Sequence, residues 1–158
     1  MRFIADAMLG RLAKRLRLLG YDTAYERDIT DAALLARALK EGRTVLTRDT
    51  RFAARKALSH GRAFLVASDD PASQLKEVLE HFSLEPPSGK KRFIGRCSVC
   101  NGALDKVKDK GLVRDLVPEH VFLNKREFYM CAGCGRVYWE GSHVEKFKKL
   151  MDDIIKKE

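Results

Sequence analysis

The sequence has no long apolar run, and its 158 residues include only four cysteines, four histidines and one tryptophan. No segment approaches the roughly 20 consecutive apolar residues that a membrane-spanning helix needs. Charged residues interrupt the first 20 positions too often for a secretory signal. The apolar fraction of 45% is nevertheless sufficient for a buried core. We therefore expect a soluble, cytoplasmic protein with no internal repeat.

Acidic residues are also too few to balance the basic ones, so the formal net charge is +9. Residues 1–90 carry 16 Lys and Arg against 12 Asp and Glu, and residues 91–158 carry 15 against 10. The excess is thus spread along the chain. Such a charge favours a polyanionic partner, most often nucleic acid. Composition alone leaves a basic protein without such a partner equally open.

Short apolar runs alternate with amphipathic segments over residues 1–84, which predicts an α/β domain with a parallel sheet. We expect strands over 2–6, 21–26, 44–47 and 63–67, and helices over 7–20, 30–42, 50–61 and 71–84. The segment 85–92, with two prolines and a basic run, is typical of a linker. Residues 93–158 are then a small second domain that ends in an amphipathic helix over 143–157.

All four cysteines fall into two CxxC pairs, Cys97 with Cys100 and Cys131 with Cys134. This pattern is typical of a closed, structural four-thiolate zinc site, and disulfides are disfavoured in a cytoplasmic chain. His120 and His143 are not needed as ligands. Beside the second pair, the aromatic residues Tyr138 and Trp139 either stack on nucleic-acid bases or form the small core of a zinc ribbon.

Aspartates recur after the predicted strands. Asp6 follows the first strand and Asp49 the third, while Asp69 and Asp70 follow the fourth; Asp31 opens the second helix. Each one alone is well explained as a helix N-cap, which Asp favours. If the first strand lies between the second and third, however, Asp6 and Asp49 end neighbouring strands at the switch point where ligands bind.

Carboxylates gathered at such an edge repel one another unless a cation neutralises them. Oxygen ligands suit Mg²⁺ or Mn²⁺, and such ions activate water in phosphodiester hydrolysis. Nearby basic residues are candidate contacts for an RNA backbone, although each is equally typical of a solvated helix surface. These candidates are Arg11, Lys14, Arg15, Arg48 and Arg51.

Three segments together resemble the Mut-seven C-terminal RNase family, a branch of the PIN-like nucleases with an attached zinc ribbon. They are FIADAMLGRLAKRLRLLGYD (3–22), TDAALLARALKEGRTVLTRD (30–49) and the ribbon over 97–143, which begins with CSVCNGAL and ends with YMCAGCGRVYWEGSH. The resemblance implies a PIN-like three-layer domain over 1–84, a linker over 85–92, and a zinc ribbon with a C-terminal helix over 93–158.

The resemblance further implies metal-dependent RNA cleavage, most often endonucleolytic. Asp6, Asp31 and Asp49 match the family's catalytic, metal-binding acids, and a fourth acid is expected after the next strand. Asp69 is the preferred candidate, since Asp70 precedes Pro71 and fits an N-cap. The chain lacks the additional helical pair of larger PIN domains, which implies a shallower substrate groove.

Two alternatives remain open. One is a non-catalytic RNA-binding zinc-ribbon protein, and the sequence does not exclude DNA as the nucleic acid. The other is a small-molecule phosphatase, which the sequence does not favour because DAMLG has no second Asp two residues after Asp6.

Overall fold

A computed structural model describes residues 1–54, 62–85 and 94–155. The first part of the chain forms the elements β1 (Arg2–Ala5), α1 (Gly10–Leu18), β2 (Asp22–Tyr25), α2 (Asp31–Glu41), β3 (Thr44–Thr47), α3 (Thr50–Ala53), β4 (Ala63–Leu65) and α4 (Pro71–His81). A 3-10 turn over Ala7–Leu9 precedes α1. Residues 55–61 of the predicted third helix and 86–92 of the predicted linker lie outside the described residues.

The first four strands form one parallel sheet in the order β2-β1-β3-β4. This confirms the predicted α/β class. Ala5, at the end of β1, pairs with Tyr25 of β2 on one side and with Leu46 of β3 on the other. The chain therefore reverses direction across the sheet between β1 and β3, and the switch point opens at the carboxyl ends of these two strands.

Alternating side chains of the strands cover the two faces of the sheet, as the two-residue period of a strand requires. One face of β1 and β3 packs under α1 and α4, in a cluster with Phe3, Leu12, Leu46 and Val78 among its buried members. The opposite face packs under α2 and α3 around Ile4, Leu34, Val45 and Phe52. The result is the expected three-layer arrangement of helices on both faces of a sheet.

The cysteine-bearing part forms β5 (Leu104–Lys106), α5 (Glu119–Asn124), β6 (Tyr129–Cys131), β7 (Val137–Tyr138) and α6 (Ser142–Ile155), with a 3-10 turn over Lys110–Val113. Its strands are antiparallel in the order β5-β6-β7. The terminal helix α6 leaves this small sheet, and its Phe147 and Met151 are buried in the same cluster as α1 and α4. The predicted domain division at 85–92 stays a prediction.

Hydrogen bonds connect the turn that carries Cys97 and Cys100 to β2, the edge strand of the parallel sheet. Arg17 of α1 is buried, and its guanidinium donates to the carbonyl oxygens of Thr23 (2.7 Å), Ser98 (2.9 Å) and Val99 (3.0 Å). The backbone N–H of Thr23, on the edge strand β2, donates to Oδ1 of Asn101 at 3.1 Å. Side chains thus satisfy an open strand edge that would otherwise present unpaired backbone groups.

The backbones of the two parts also touch directly. Gly95 N donates to the carbonyl of Leu18 at 2.9 Å. A Cβ atom on Gly95 would lie only 2.3 Å from Cα of Gly20, so no other residue fits at position 95 without moving the chain.

In the described part of the chain, no helix has the length and apolar character needed to span a membrane.

Candidate functional site

Asp6 lies at the switch point, where its carboxylate holds three separate backbone and side-chain groups. It is the N-cap of the 3-10 turn and accepts from Met8 N at 2.9 Å through Oδ1. Its Oδ2 accepts from the hydroxyl of Thr47 at 2.7 Å and from Arg48 N at 2.8 Å. Asp6 is therefore a rigidly positioned carboxylate, and its cap role and its place at the strand ends coexist.

Thr47 joins the two acids that end neighbouring strands. Its hydroxyl donates to Asp6 and at the same time accepts from Asp49 N at 3.0 Å. Asp49 in turn is the N-cap of α3, because its Oδ1 accepts from Arg51 N at 2.8 Å and Phe52 N at 3.2 Å. A single buried hydroxyl thus links the loops that carry Asp6 and Asp49.

Asp31 occupies the first turn of α2, whose N-cap is Thr30. It is exposed. Among the described residues, the four cysteines form a cluster that could hold a metal ion, because their sulfur atoms all lie within 4.8 Å of one another. Asp6, Asp31 and Asp49 do not form such a group in this structure. Metal binding by these three acids stays a prediction.

A basic cleft of about 650 Å³ opens beside Asp6. It is bordered by Ala7 and Met8, which follow Asp6 directly, and by Pro71 and Gln74 of α4. Among the described residues that line it, four are cations and one, Asp69, is an acid. An anionic ligand therefore suits the cleft better than a cationic one. The four cations are Arg11, Lys14, Arg27 and Arg48.

Three of the five predicted RNA contacts, Arg11, Lys14 and Arg48, line this cleft, and two do not. Arg15 turns inward: it is half-buried, and its Nη1 is buried without a hydrogen-bond partner in the described structure. Burial lowers the pKa of Arg15, while the charge of Asp70 opposes that shift. Arg51 is exposed in the first turn of α3.

The two acids after β4 have different positions. Asp70 is the N-cap of α4, where its Oδ1 accepts from Ala72 N at 2.9 Å and Ser73 N at 3.0 Å. Hydrogen bonds from Ser73 and Ala72 lower the pKa of Asp70. Asp69 is exposed, and its carboxylate forms an ion pair with the guanidinium of Arg48. The role of Asp69 as a fourth catalytic acid stays a prediction.

The loop that carries Asp69 is held by two residues of α4. Glu77 accepts from Ala67 N at 2.9 Å and Ser68 N at 3.0 Å. Burial acts to raise the pKa of Glu77, but these hydrogen bonds outweigh it and lower the pKa. The buried Gln74 donates to the carbonyl oxygens of Ser68 and Asp69, both at 3.1 Å.

Sequence reasoning missed Thr47, Tyr25 and Arg27. Thr47 precedes the predicted Arg48 and Asp49, yet a threonine ending a strand carries no signal of its own. Tyr25 and Arg27 line the cleft, and the Tyr25 hydroxyl donates to the carbonyl of Ala7 at 3.1 Å. The arrangement considered from the sequence, with the first strand between the second and third, places the end of β2 beside β1; that was the available signal for these two residues.

The four cysteines converge on one point in the ribbon. Sγ of Cys97 lies 3.6 Å from Sγ of Cys134, and Sγ of Cys100 lies 3.3 Å from Sγ of Cys131. Four thiolates at about 2.3 Å around a tetrahedral zinc ion stand about 3.8 Å apart. A Cβ on Gly102 would lie 2.8 Å from Sγ of Cys131, so the turn closes on the sulfurs only with glycine there. The cluster fits a structural zinc ion.

The thiols of Cys97 and Cys100 differ in acidity. Burial acts to raise the pKa of Cys97, but hydrogen bonds from Cys100 N and the Tyr138 hydroxyl lower it to about 6. For Cys100, a hydrogen bond from Gly102 N acts to lower the pKa, while burial and the neighbouring sulfurs raise it to about 12. A bound Zn²⁺ ion would keep all four cysteines as thiolates, because zinc ligands bind deprotonated.

Comparison with known proteins agrees with this architecture. The family model described as the Mut7-C RNAse domain matches residues 1–151. The chain belongs to the Mut7-C RNAse domain family.

The Mut7-C match contains both the parallel sheet and the cysteine cluster, and it indicates a nuclease with a nucleic-acid substrate. A human protein (Homo sapiens) described as "Exonuclease mut-7 homolog" is 24% identical over 230 residues, covering 98% of this chain and 26% of the human protein. The chain thus spans about a quarter of the length of that relative. No solved structure gives a significant match.

Proposed function

We propose that this chain is a metal-dependent ribonuclease of the PIN-like type that cleaves RNA internally. The observation that carries the proposal is the juxtaposition of Asp6 and Asp49, linked by Thr47, with a cleft lined by four cations. Metal-dependent phosphodiester hydrolysis uses acids that bind a divalent ion and basic residues that bind phosphate. The family match supports a nuclease, and the type of cleavage is part of the proposal.

The donor set suits a hard cation. Mg²⁺ is commonly bound by one or two carboxylates and completes its shell with water and substrate phosphate. In this chain Asp6 and Asp49 would hold the ion, and Asp31 would contribute from the first turn of α2. When bound, Mg²⁺ or Mn²⁺ would supply an activated water and neutralise charge on the scissile phosphate.

The protein's own residues then position the RNA. Arg11 and Lys14 on α1 would hold phosphates on one side of the cleft, while Arg48 would hold the phosphate next to Asp6. Asp69 limits the motion of the Arg48 guanidinium through their ion pair. Asp6 itself is kept in place by three hydrogen bonds, so little reorganisation is needed on binding.

Cleavage of an internally labelled RNA by zinc-loaded protein tests the proposal. We expect cleavage on addition of Mn²⁺ and a loss of at least about 100-fold for Asp6→Asn and Asp49→Asn, the size typical of a missing preorganised group. Asp105→Asn, an exposed acid of β5 in the ribbon, is the matched control. A circular RNA substrate distinguishes internal cleavage from trimming, because only an endonuclease can open a circle.

One observation favours a second candidate, a non-catalytic RNA-binding protein. Both oxygens of Asp6 already accept hydrogen bonds, and the three acids do not form a compact ligand group. Equal RNA binding by the wild type and both variants, with no cleavage of linear or circular RNA, would support this alternative over the nuclease.

A further inference from the structure

A second cavity, of about 540 Å³, lies between α1 and the zinc ribbon. Its volume falls within the roughly 300–1,000 Å³ range of ligand sites. Leu18 of α1 forms part of one wall, and the consecutive residues Tyr138 and Trp139 form part of another. We refer to this cavity as the aromatic groove.

The aromatic groove adjoins the basic cleft at one residue. Lys14, which is exposed on α1, lines both cavities. A polymer whose phosphate contacts Lys14 would therefore lie at the border of both cavities.

The chemistry of the aromatic groove suits a flat, uncharged ring. Among the described residues that line it there is no Asp or Glu. Its polar groups include the side chains of Ser98, His120 and His143, which can donate to or accept from the edge of a heterocycle. A base of single-stranded RNA has both an apolar face and such an edge.

Trp139 is held in place at this groove. It is half-buried and packs edge-to-face on Phe128, with ring centroids 6.4 Å apart. A Cβ on Gly141 would lie 3.1 Å from Nε1 of Trp139, so the Nε1 edge of the indole lies closely against the backbone. A ring that is already fixed loses little entropy when a ligand stacks on it.

We propose that the aromatic groove binds an unstacked nucleobase of the RNA strand whose phosphates occupy the basic cleft, with the base stacked on Trp139. The identification of the ligand as RNA rests on the proposed function, whereas base binding in the groove does not depend on catalysis. The substrate is therefore single-stranded at this position, because a paired and stacked base has no free face.

The first test uses the wild-type protein, since Trp139 is its single tryptophan. A short oligoribonucleotide is titrated into zinc-loaded protein in buffer without Mg²⁺ or Mn²⁺, and tryptophan fluorescence is recorded together with anisotropy of a label on the RNA. We expect fluorescence quenching that saturates at the same RNA concentration as the anisotropy. RNA binding with unchanged tryptophan fluorescence would overturn the proposal and leave the groove to a different partner.

The second test compares variants with matched RNA. Oligoribonucleotides carrying one abasic nucleotide at successive positions should reveal one position where base removal weakens binding by about 5- to 150-fold, the effect of one stacked base. This position effect should persist in Trp139→Phe and disappear in Trp139→Leu. Zinc content confirms that both variants retain the ribbon. Equal binding of every abasic strand by the wild type would contradict the proposal whichever variant folds.

The two proposals fail separately. Base-dependent quenching without any Mn²⁺-stimulated cleavage would keep the groove and reject the nuclease. Cleavage without base-dependent quenching or an abasic effect would keep the nuclease and reject the groove.

Discussion

Replacing Thr47 by valine removes a single buried hydroxyl that joins the two candidate metal-binding acids. The variant keeps the shape and β-branching of the side chain, so packing in β3 is preserved. It removes two hydrogen bonds of the hydroxyl: the one donated to the Asp6 carboxylate at 2.7 Å and the one accepted from Asp49 N at 3.0 Å. The Thr47 side chain is 1% exposed, so water does not easily replace the lost hydroxyl.

The magnitude follows from these two contacts. A hydrogen bond to a charged group contributes about 1.5–3 kcal/mol, and a partly buried N–H left unsatisfied costs about 1 kcal/mol or more. We therefore expect Thr47→Val to lower the free energy of unfolding by about 2–4 kcal/mol. Manganese-dependent RNA cleavage should fall as well, since the loops of Asp6 and Asp49 lose their shared support.

Urea unfolding of the zinc-loaded protein measures the first effect, and cleavage at a temperature where the variant is folded measures the second. Thr44→Val is the matched control: it lies in the same strand and is half-buried, and its change should stay within about 0.5 kcal/mol. If the two variants unfold within 0.5 kcal/mol of each other, the proposed link between the acids is refuted.

Four further predictions concern the rest of the molecule. Arg17→Met should lower the free energy of unfolding by about 3 kcal/mol or more and make the ribbon sensitive to protease, because three carbonyl contacts are lost; the exposed Arg11→Met should change it by less than about 0.5 kcal/mol. Asp22→Asn should destabilise the protein at neutral pH, and calorimetry should show the difference from wild type vanishing in acid. Metal analysis should find about one zinc per chain, with values near zero in reduced protein counting against the ribbon site. RNA affinity should fall with salt with a log–log slope of about −3 if the four cleft cations contact phosphate, and Arg11→Ala should reduce the slope by about 0.7.

The sign of the Asp22 prediction follows from its surroundings. Burial acts to raise the pKa of Asp22, but hydrogen bonds from Arg43 and Asn101 outweigh it and hold the pKa below its usual value. The contribution to stability is therefore complete above the unfolded-state pKa of about 4 and is lost as the pH falls through the lower folded-state pKa. A pH-independent difference between Asp22→Asn and wild type would contradict this assignment.

A parallel sheet, with the acids after its strands at one edge, was predictable from sequence, because short apolar runs alternate with helices. The strand order was not, since the same alternation fits several orders and the sequence offered β2-β1-β3 only as one arrangement. The exact ends of the strands and helices differ from the predicted ones, because local N-cap interactions set them. β1 ends at Ala5 rather than Asp6, since Asp6 turns the chain into the 3-10 segment before α1. Gly20, expected to end the first helix, has a φ of +95°, which favours glycine.

Contacts between distant parts of the chain were not predictable. The guanidinium of Arg17 reaches the carbonyls of Ser98 and Val99, 81 and 82 residues away, and nothing in a basic helical segment distinguishes this residue from its exposed neighbours. Arg15 was likewise expected at the nucleic-acid surface, but it is half-buried. Helical position alone does not reveal which basic side chain will be covered by a later segment.

Anomalous scattering from a crystal of the zinc-loaded protein soaked in Mn²⁺ tests the central claim most directly. The account predicts a manganese peak within coordination distance of Asp6 and Asp49, separate from the zinc peak among the four cysteines, and its loss in Asp49→Asn. A fully soaked crystal with no manganese at Asp6 and Asp49, or with manganese bound only elsewhere, would contradict the claim that these acids form a metal-dependent nuclease site.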